Sequence, residues 1–191
     1  MKADLHSYLK GGRGSLLWKL DGLSEYDIRR PLTRTATNLL GLVKHAAAME
    51  ALYFGLVFGR PFEQELPYLD DGAEPNADMW ATADETREEL VARYRRTIAH
   101  ADTTIEALAL DDVGRVPWWG DEEVTLHRVM VHVIAETQRH AGHADIVREL
   151  IDGAAGLLPR NDNLPQADEA WWLDYRQRVE QAALDASKRG N

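Results

Sequence analysis

The sequence predicts an all-α protein: a four-helix bundle with a long crossover between its second and third helices and an extra C-terminal helix. Three observations predict it. Apolar residues recur at helical spacing along nearly the whole chain, without the alternation of a strand. Capping residues and Gly or Pro stops divide that pattern into four long segments and a fifth. A Pro- and acid-rich stretch at 60–80 parts the second segment from the third, as a surface crossover covering one end of a bundle would.

The first helix runs from about Lys2 to Gly22 on Leu5, Leu9, Leu16, Leu17 and Leu20, and Gly11, Gly12 and Gly14 are the points where it is expected to fray or break. The second opens after Pro31 with Thr33 or Thr35 as its cap and runs to Phe58, before Gly59-Arg60-Pro61. The third starts at Thr82 or Asp84, with Glu85, Glu88 and Glu89 complementing its N-terminal dipole, and ends near Leu108. The fourth spans Thr125 to Asp152 and closes at Gly153. After a turn-rich linker at Asn161–Pro165, Ala167 to Lys188 forms an amphipathic helix with Trp171, Trp172 and Tyr175 near its start. The expected organisation is a bundle over residues 1–155, with 156–191 a linker and helix packing on the same domain. At least one of Trp171 and Trp172 must face away from the main core, covering the bundle or meeting a second subunit.

Composition narrows the function. The chain has 191 residues, 45% of them hydrophobic, enough for one core. Its net charge of −10 and the lack of a Lys/Arg block argue against nucleic acid or an anionic membrane as partner. It contains no cysteine, which excludes disulfides, thiolate zinc sites and a cysteine nucleophile. No secretory leader is read at the N-terminus, and no stretch is expected to approach the roughly 18 apolar residues of a membrane span, so the expected location is the cytoplasm. Gly11-Gly12-Arg13-Gly14 lacks the lysine of a P-loop, no serine sits in a nucleophile elbow, and the acids Glu63, Glu65, Asp70, Asp71 and Glu74 lack EF-hand spacing and read as a solvated loop.

The informative segment is H-V-I-A-E-T-Q-R-H-A-G-H at 132–143. At 100° per residue, His132, Glu136, His140 and His143 fall within about 80° of one another, on the stripe that also carries Val129, Val133, Val147 and Leu150. A carboxylate and imidazoles on a core-seeking stripe need compensation, which a divalent cation supplies. His45 on the second helix shares a face with Leu42, Met49, Leu52 and Leu56 and points inward. Glu136 and His140, four residues apart, can grip one ion; with His45 they make a set of two neutral ligands and one anion that leaves a divalent metal positions for chemistry. Such a set suits zinc first, and also nickel, manganese or ferrous iron.

The stretch L-V-K-H-A-A-A-M-E at 42–50, the pair Trp118-Trp119 with Gly120, and E-T-Q-R-H-A-G-H-A-D-I at 136–146 resemble the DinB/YfiT-like superfamily of metal-binding four-helix bundles, in the branch related to mycothiol-dependent maleylpyruvate isomerase. The resemblance covers about residues 5–155 and implies that His45, Glu136 and His140 are the metal ligands. It makes His143 a second-layer or substrate-facing residue, with a fourth ligand the lesser role. His132, one turn before Glu136, hydrogen-bonds it, faces the pocket or is a satisfied core histidine. The implied reaction is attack of a low-molecular-weight thiol such as mycothiol on an electrophile, as in an S-transferase or isomerase. A metal-dependent hydrolase and a non-enzymatic metal-binding stress protein are the alternatives. Trp118 and Trp119 read as packing, or as a lip over the site; Arg34, Arg60 and Arg139 read as solvated, or as anchors for an acidic substrate. Glu50, five residues after His45, is expected near the surface, or in a polar contact beneath the site. A homodimer through helix faces is compatible with the composition.

Overall fold

The computed structural model describes residues 1–70, 72–159 and 161–189, so Asp71 of the acidic loop lies outside the described residues. Six α-helices and one hairpin are present among them: α1 (Lys2–Trp18), α2 (Glu25–Arg29), α3 (Leu39–Glu50), α4 (Arg87–Ala107), β1 (Val113–Val116), β2 (Glu122–Thr125), α5 (Leu126–Asp152) and α6 (Glu169–Arg189). The four long helices α1, α3, α4 and α5 form the bundle, α1 packing on α5 and α3 lying against both α4 and α5. The all-α bundle with its long crossover is therefore as the sequence predicts.

Local chemistry sets the boundaries. Asn38, rather than Thr33 or Thr35, caps α3, its Oδ1 accepting from the Gly41 N–H at 2.8 Å. Thr86, rather than Thr82 or Asp84, caps α4 in a reciprocal capping box with Glu89. Glu85 stays outside the helix, accepting from the Thr82 N–H at 2.9 Å and the Lys44 Nζ at 2.8 Å. Thr86→Ala is expected to cost about 1 kcal/mol, read as a urea-midpoint shift. Thr125 and Gly153 bound α5 as expected, Gly153 at φ 80°. The glycines do not interrupt α1, and Gly12 faces α5 so closely that a Cβ there would lie 2.9 Å from Thr137 Cγ2.

α3 is continued by a π-helical turn (Ala51–Gly55) and a short 3-10 turn (Leu56–Phe58). The π turn rotates all that follows, so the expected face through Leu52 and Leu56 gives way to Tyr53, Phe54 and Val57, which are buried, while Leu56 is exposed. α3 is buried on nearly every side, which is why Glu50, expected near the surface, is only 1% exposed. The stretch Leu39–Phe58 does have the length and apolarity of a membrane span, contrary to expectation, and most of it is buried inside the bundle.

The antiparallel hairpin β1–β2 was not anticipated by the sequence pattern; Val116 pairs with Glu122, and the connection holds Pro117, Trp118 and Trp119 with Gly120 at φ 72°. α6 buries none of its residues, where packing on the bundle was expected, and leaves Leu173, Val179 and Leu184 exposed.

Candidate metal centre

α3 and α5 bring together residues 91 positions apart in the chain. One ligand atom each from His45, Glu136 and His140 lies within 4.8 Å of the others. His45 Nε2 is 3.6 Å from Glu136 Oε1, and the His140 Nε2–H donates to that same oxygen at 2.9 Å. The two rings meet edge to face with centroids 4.8 Å apart. Atoms bound to one ion at about 2.0–2.2 Å are themselves roughly 3–3.5 Å apart, so the two contacts to Glu136 Oε1 are near the spacing of a ligand set, while the widest pair of the cluster must draw in to share an ion. Two buried nitrogens, His45 Nε2 and His140 Nδ1, have no hydrogen-bond partner among the described residues. The orphaned lone pair of His45 Nε2 beside a carboxylate fits a divalent cation, which would take the place of the proton now bridging His140 Nε2 and Glu136 and leave the His140 proton on Nδ1.

Burial pushes the Glu136 carboxyl up, but the hydrogen bond and charge of His140 and His45 outweigh it, and its pKa is lowered. Burial, helped by the charge of His45, lowers the pKa of His140 against the opposing pull of Glu136. Both shifts favour the deprotonated forms that bind metal. The side chains of His45 and His140 are 13% and 12% exposed and that of Glu136 is 31% exposed, so the cluster is sheltered on its histidine side and open on its carboxylate side.

The order of exposure follows helix phase. The buried positions of α5 include Leu126, Val129, Met130, Val133, Thr137, Ala141, Ala144 and Val147. They centre roughly 100–120° from His132 on a helical wheel, so His140 is nearest that centre, Glu136 next, and His143 and Leu150 lie at the edge. His143 is accordingly exposed, its ring centroid 5.4 Å from that of His140, and Leu150, expected in the core stripe, is exposed as well.

His132 faces an aromatic group instead of the cluster. Its ring lies 4.7 Å from Tyr53 and 4.8 Å from Trp119, centroid to centroid, and burial lowers its pKa, with Glu136 opposing. Trp118 Nε1–H donates to Tyr53 Oη at 3.2 Å. The paired tryptophans thus pack, on a hairpin, against Tyr53 and the turn of α5 that precedes Glu136. Tyr53 was missed by sequence reasoning because the π turn moved it onto this face.

Asp78 was missed too. It lies on the crossover and accepts from the His45 Nδ1–H at 2.6 Å, a bond that, with the charge of His45, outweighs burial and lowers its pKa. A lone acid in an acidic loop carries no periodicity that would single it out. Of the arginines, Arg34 and Arg139 are exposed, and Arg60 donates to Thr104 Oγ1 at 3.1 Å.

The mycothiol-S-transferase (MST) family model matches residues 4–153. A solved structure described as the conserved protein of a locus from Enterococcus faecalis superposes with a TM-score of 0.59 at 16% identity, covering 80% of this chain and 98% of its own. At that identity the likeness is one of fold. The match over residues 4–153, carried on a bundle that assembles His45, Glu136 and His140, places the chain in the mycothiol-S-transferase family, within the DinB/YfiT-like superfamily.

Proposed function

We propose that this protein is a divalent-metal-dependent S-transferase that joins a small thiol, mycothiol or a relative of it, to an electrophile. His45, Glu136 and His140 are its metal ligands, with zinc the preferred ion. The observation that carries the reading is the convergence of His45 Nε2, a buried nitrogen without a hydrogen-bond partner among the described residues, and His140 Nε2 on one oxygen of Glu136, in a chain of the MST family. When bound, a divalent cation supplies the positive charge that keeps a thiol deprotonated at neutral pH, so the chain needs no cysteine of its own.

The chain's residues supply the rest. Glu136, on the open flank, gives the thiol its way in, and the thiol proton leaves to solvent by the same side. The thiolate sulfur forms a bond to the electrophilic carbon while the leaving group departs with its electron pair; in an isomerase the thiol itself leaves last. Tyr53, Trp118, Trp119 and His132 form the apolar wall beside the cluster and limit water there. His143, exposed next to His140, is placed to touch the thiol or its substrate. Residues 1–155 carry this site, 156–191 are an appendage to it, and the reading places the enzyme in the cytoplasm, where small thiols are kept reduced.

The test is metal analysis of untagged protein purified without added metal, followed by conjugation assays with mycothiol, bacillithiol and glutathione. The expected result is one divalent ion per chain, a cobalt-substituted sample whose spectrum shifts on adding thiol, and turnover with at least one thiol. Cobalt protein that ignores every thiol yet hydrolyses esters or amides makes it a hydrolase. Bound metal with neither activity makes it a binding protein.

A further inference from the structure

We propose that Asp78, on the crossover, is a positioning residue that fixes the tautomer and ring orientation of His45. The inference rests on the reading of His45 as a metal ligand. A neutral imidazole carries one proton, and an ionised carboxylate can only accept. The 2.6 Å bond from His45 Nδ1 to Asp78 Oδ2 therefore places the proton on Nδ1 and leaves the buried Nε2, 3.6 Å from Glu136 Oε1, as a bare lone pair aimed at the cluster. A histidine that must grip an ion with one nitrogen gains both aim and basicity from a carboxylate on the other.

The crossover is seated so that Asp78 reaches. Asn38 Nδ2 donates to Met79 O at 3.1 Å, and Lys44 Nζ to Trp80 O at 3.0 Å, so the residues just after Asp78 are tied to α3 two turns before His45 and beside it. Between these ties lies Gly41, where a Cβ would sit 1.8 Å from Met79 O. Only glycine lets the crossover backbone rest on α3 at this depth. The loop expected to cover one end of the bundle thus also carries a working group, one that the helix pattern of the ligands does not contain.

The test uses the full-length protein with Asp78→Ala, Asp78→Asn and Gly41→Ala, each checked for a cooperative melt. Three quantities are read: zinc affinity by competition with a chromophoric chelator, the visible spectrum of the cobalt form, and the His45 tautomer of metal-free protein by nitrogen-15 NMR. Asp78→Ala is expected to weaken zinc binding about 10–100-fold, alter the cobalt bands and release the Nδ1–H tautomer. Asp78→Asn, whose amide oxygen still accepts from Nδ1, is expected to keep the tautomer and recover most of the affinity. Gly41→Ala should weaken binding in the same direction by lifting Met79 and its neighbour. Wild type that binds zinc, with Asp78→Ala matching it in affinity and spectrum, overturns this inference alone. Wild type that binds no divalent ion overturns the metal reading as well.

Discussion

Arg13→Ala is expected to cost about 3–5 kcal/mol of stability, because it strands a carboxylate in the centre of the bundle. Arg13 is 2% exposed and Glu50 1%, and the guanidinium grips the carboxylate with two bonds, Nε to Oε1 at 2.6 Å and Nη2 to Oε2 at 2.7 Å. Its remaining nitrogen Nη1 donates to Asp102 Oδ1 at 2.7 Å, which also pairs with His6 at 2.8 Å, so one residue of α1 ties α3 to α4. Replacing both partners, as in Arg13→Met with Glu50→Leu, should cost far less than removing the arginine alone, since no charge is then left unpaired.

The deficit should depend on pH in a definite direction. Burial pushes the Glu50 carboxyl up even with Arg13 opposing it, and without the guanidinium it rises further. A carboxyl whose folded pKa exceeds its unfolded value stabilises most below the unfolded pKa, and that contribution is lost as pH rises through the folded pKa. Urea midpoints of the Arg13→Ala protein should thus approach those of wild type on going from about pH 7.5 to about pH 5. A deficit under about 1 kcal/mol, or one that widens on acidification, would show that Glu50 finds another partner.

The second large effect is expected at the ligands. An ion that binds only the folded chain at a hundred times its dissociation constant adds about 2.7 kcal/mol. Chelation should therefore lower the melting temperature of wild type, and His140→Ala should melt alike with and without chelator. The same variant should lose thiol conjugation by about a hundredfold or more, the rate equivalent of roughly 2.7 kcal/mol. If His140→Ala still melts higher with zinc than with chelator, the ion sits elsewhere.

Much of this was legible because helices punctuate themselves. Thr125 and Gly153 are strong local signals, and the 3.6-residue period places His45, Glu136 and His140 on inward faces before any coordinates are known. What was not legible depends on partners distant in sequence. β1 and β2 are four residues each and carry Arg115, Glu122 and Glu123, so they show no alternating apolar pattern; Gly114 instead packs so tightly that a Cβ would lie 2.6 Å from Val57 O. Glu50 reads as a surface residue until Arg13 of another helix is brought to it. Asp78 acquires meaning only from the depth at which Met79 meets Gly41. α6 shows the opposite case, an amphipathic pattern whose Leu173, Val179 and Leu184 remain exposed among the described residues.

The π turn at Ala51–Gly55 also bears on how such a chain can change over generations. It holds one residue more than an α-helix would use over the same length, and so absorbs an insertion that a straight helix would pass on as a rotation of about 100°. A lineage that lost one residue here would leave His45 and everything before it undisturbed. Tyr53 and the tryptophans that lean on it would then be re-dealt against new neighbours. Length change at this point lets the aromatic wall diversify while the metal grip is inherited intact.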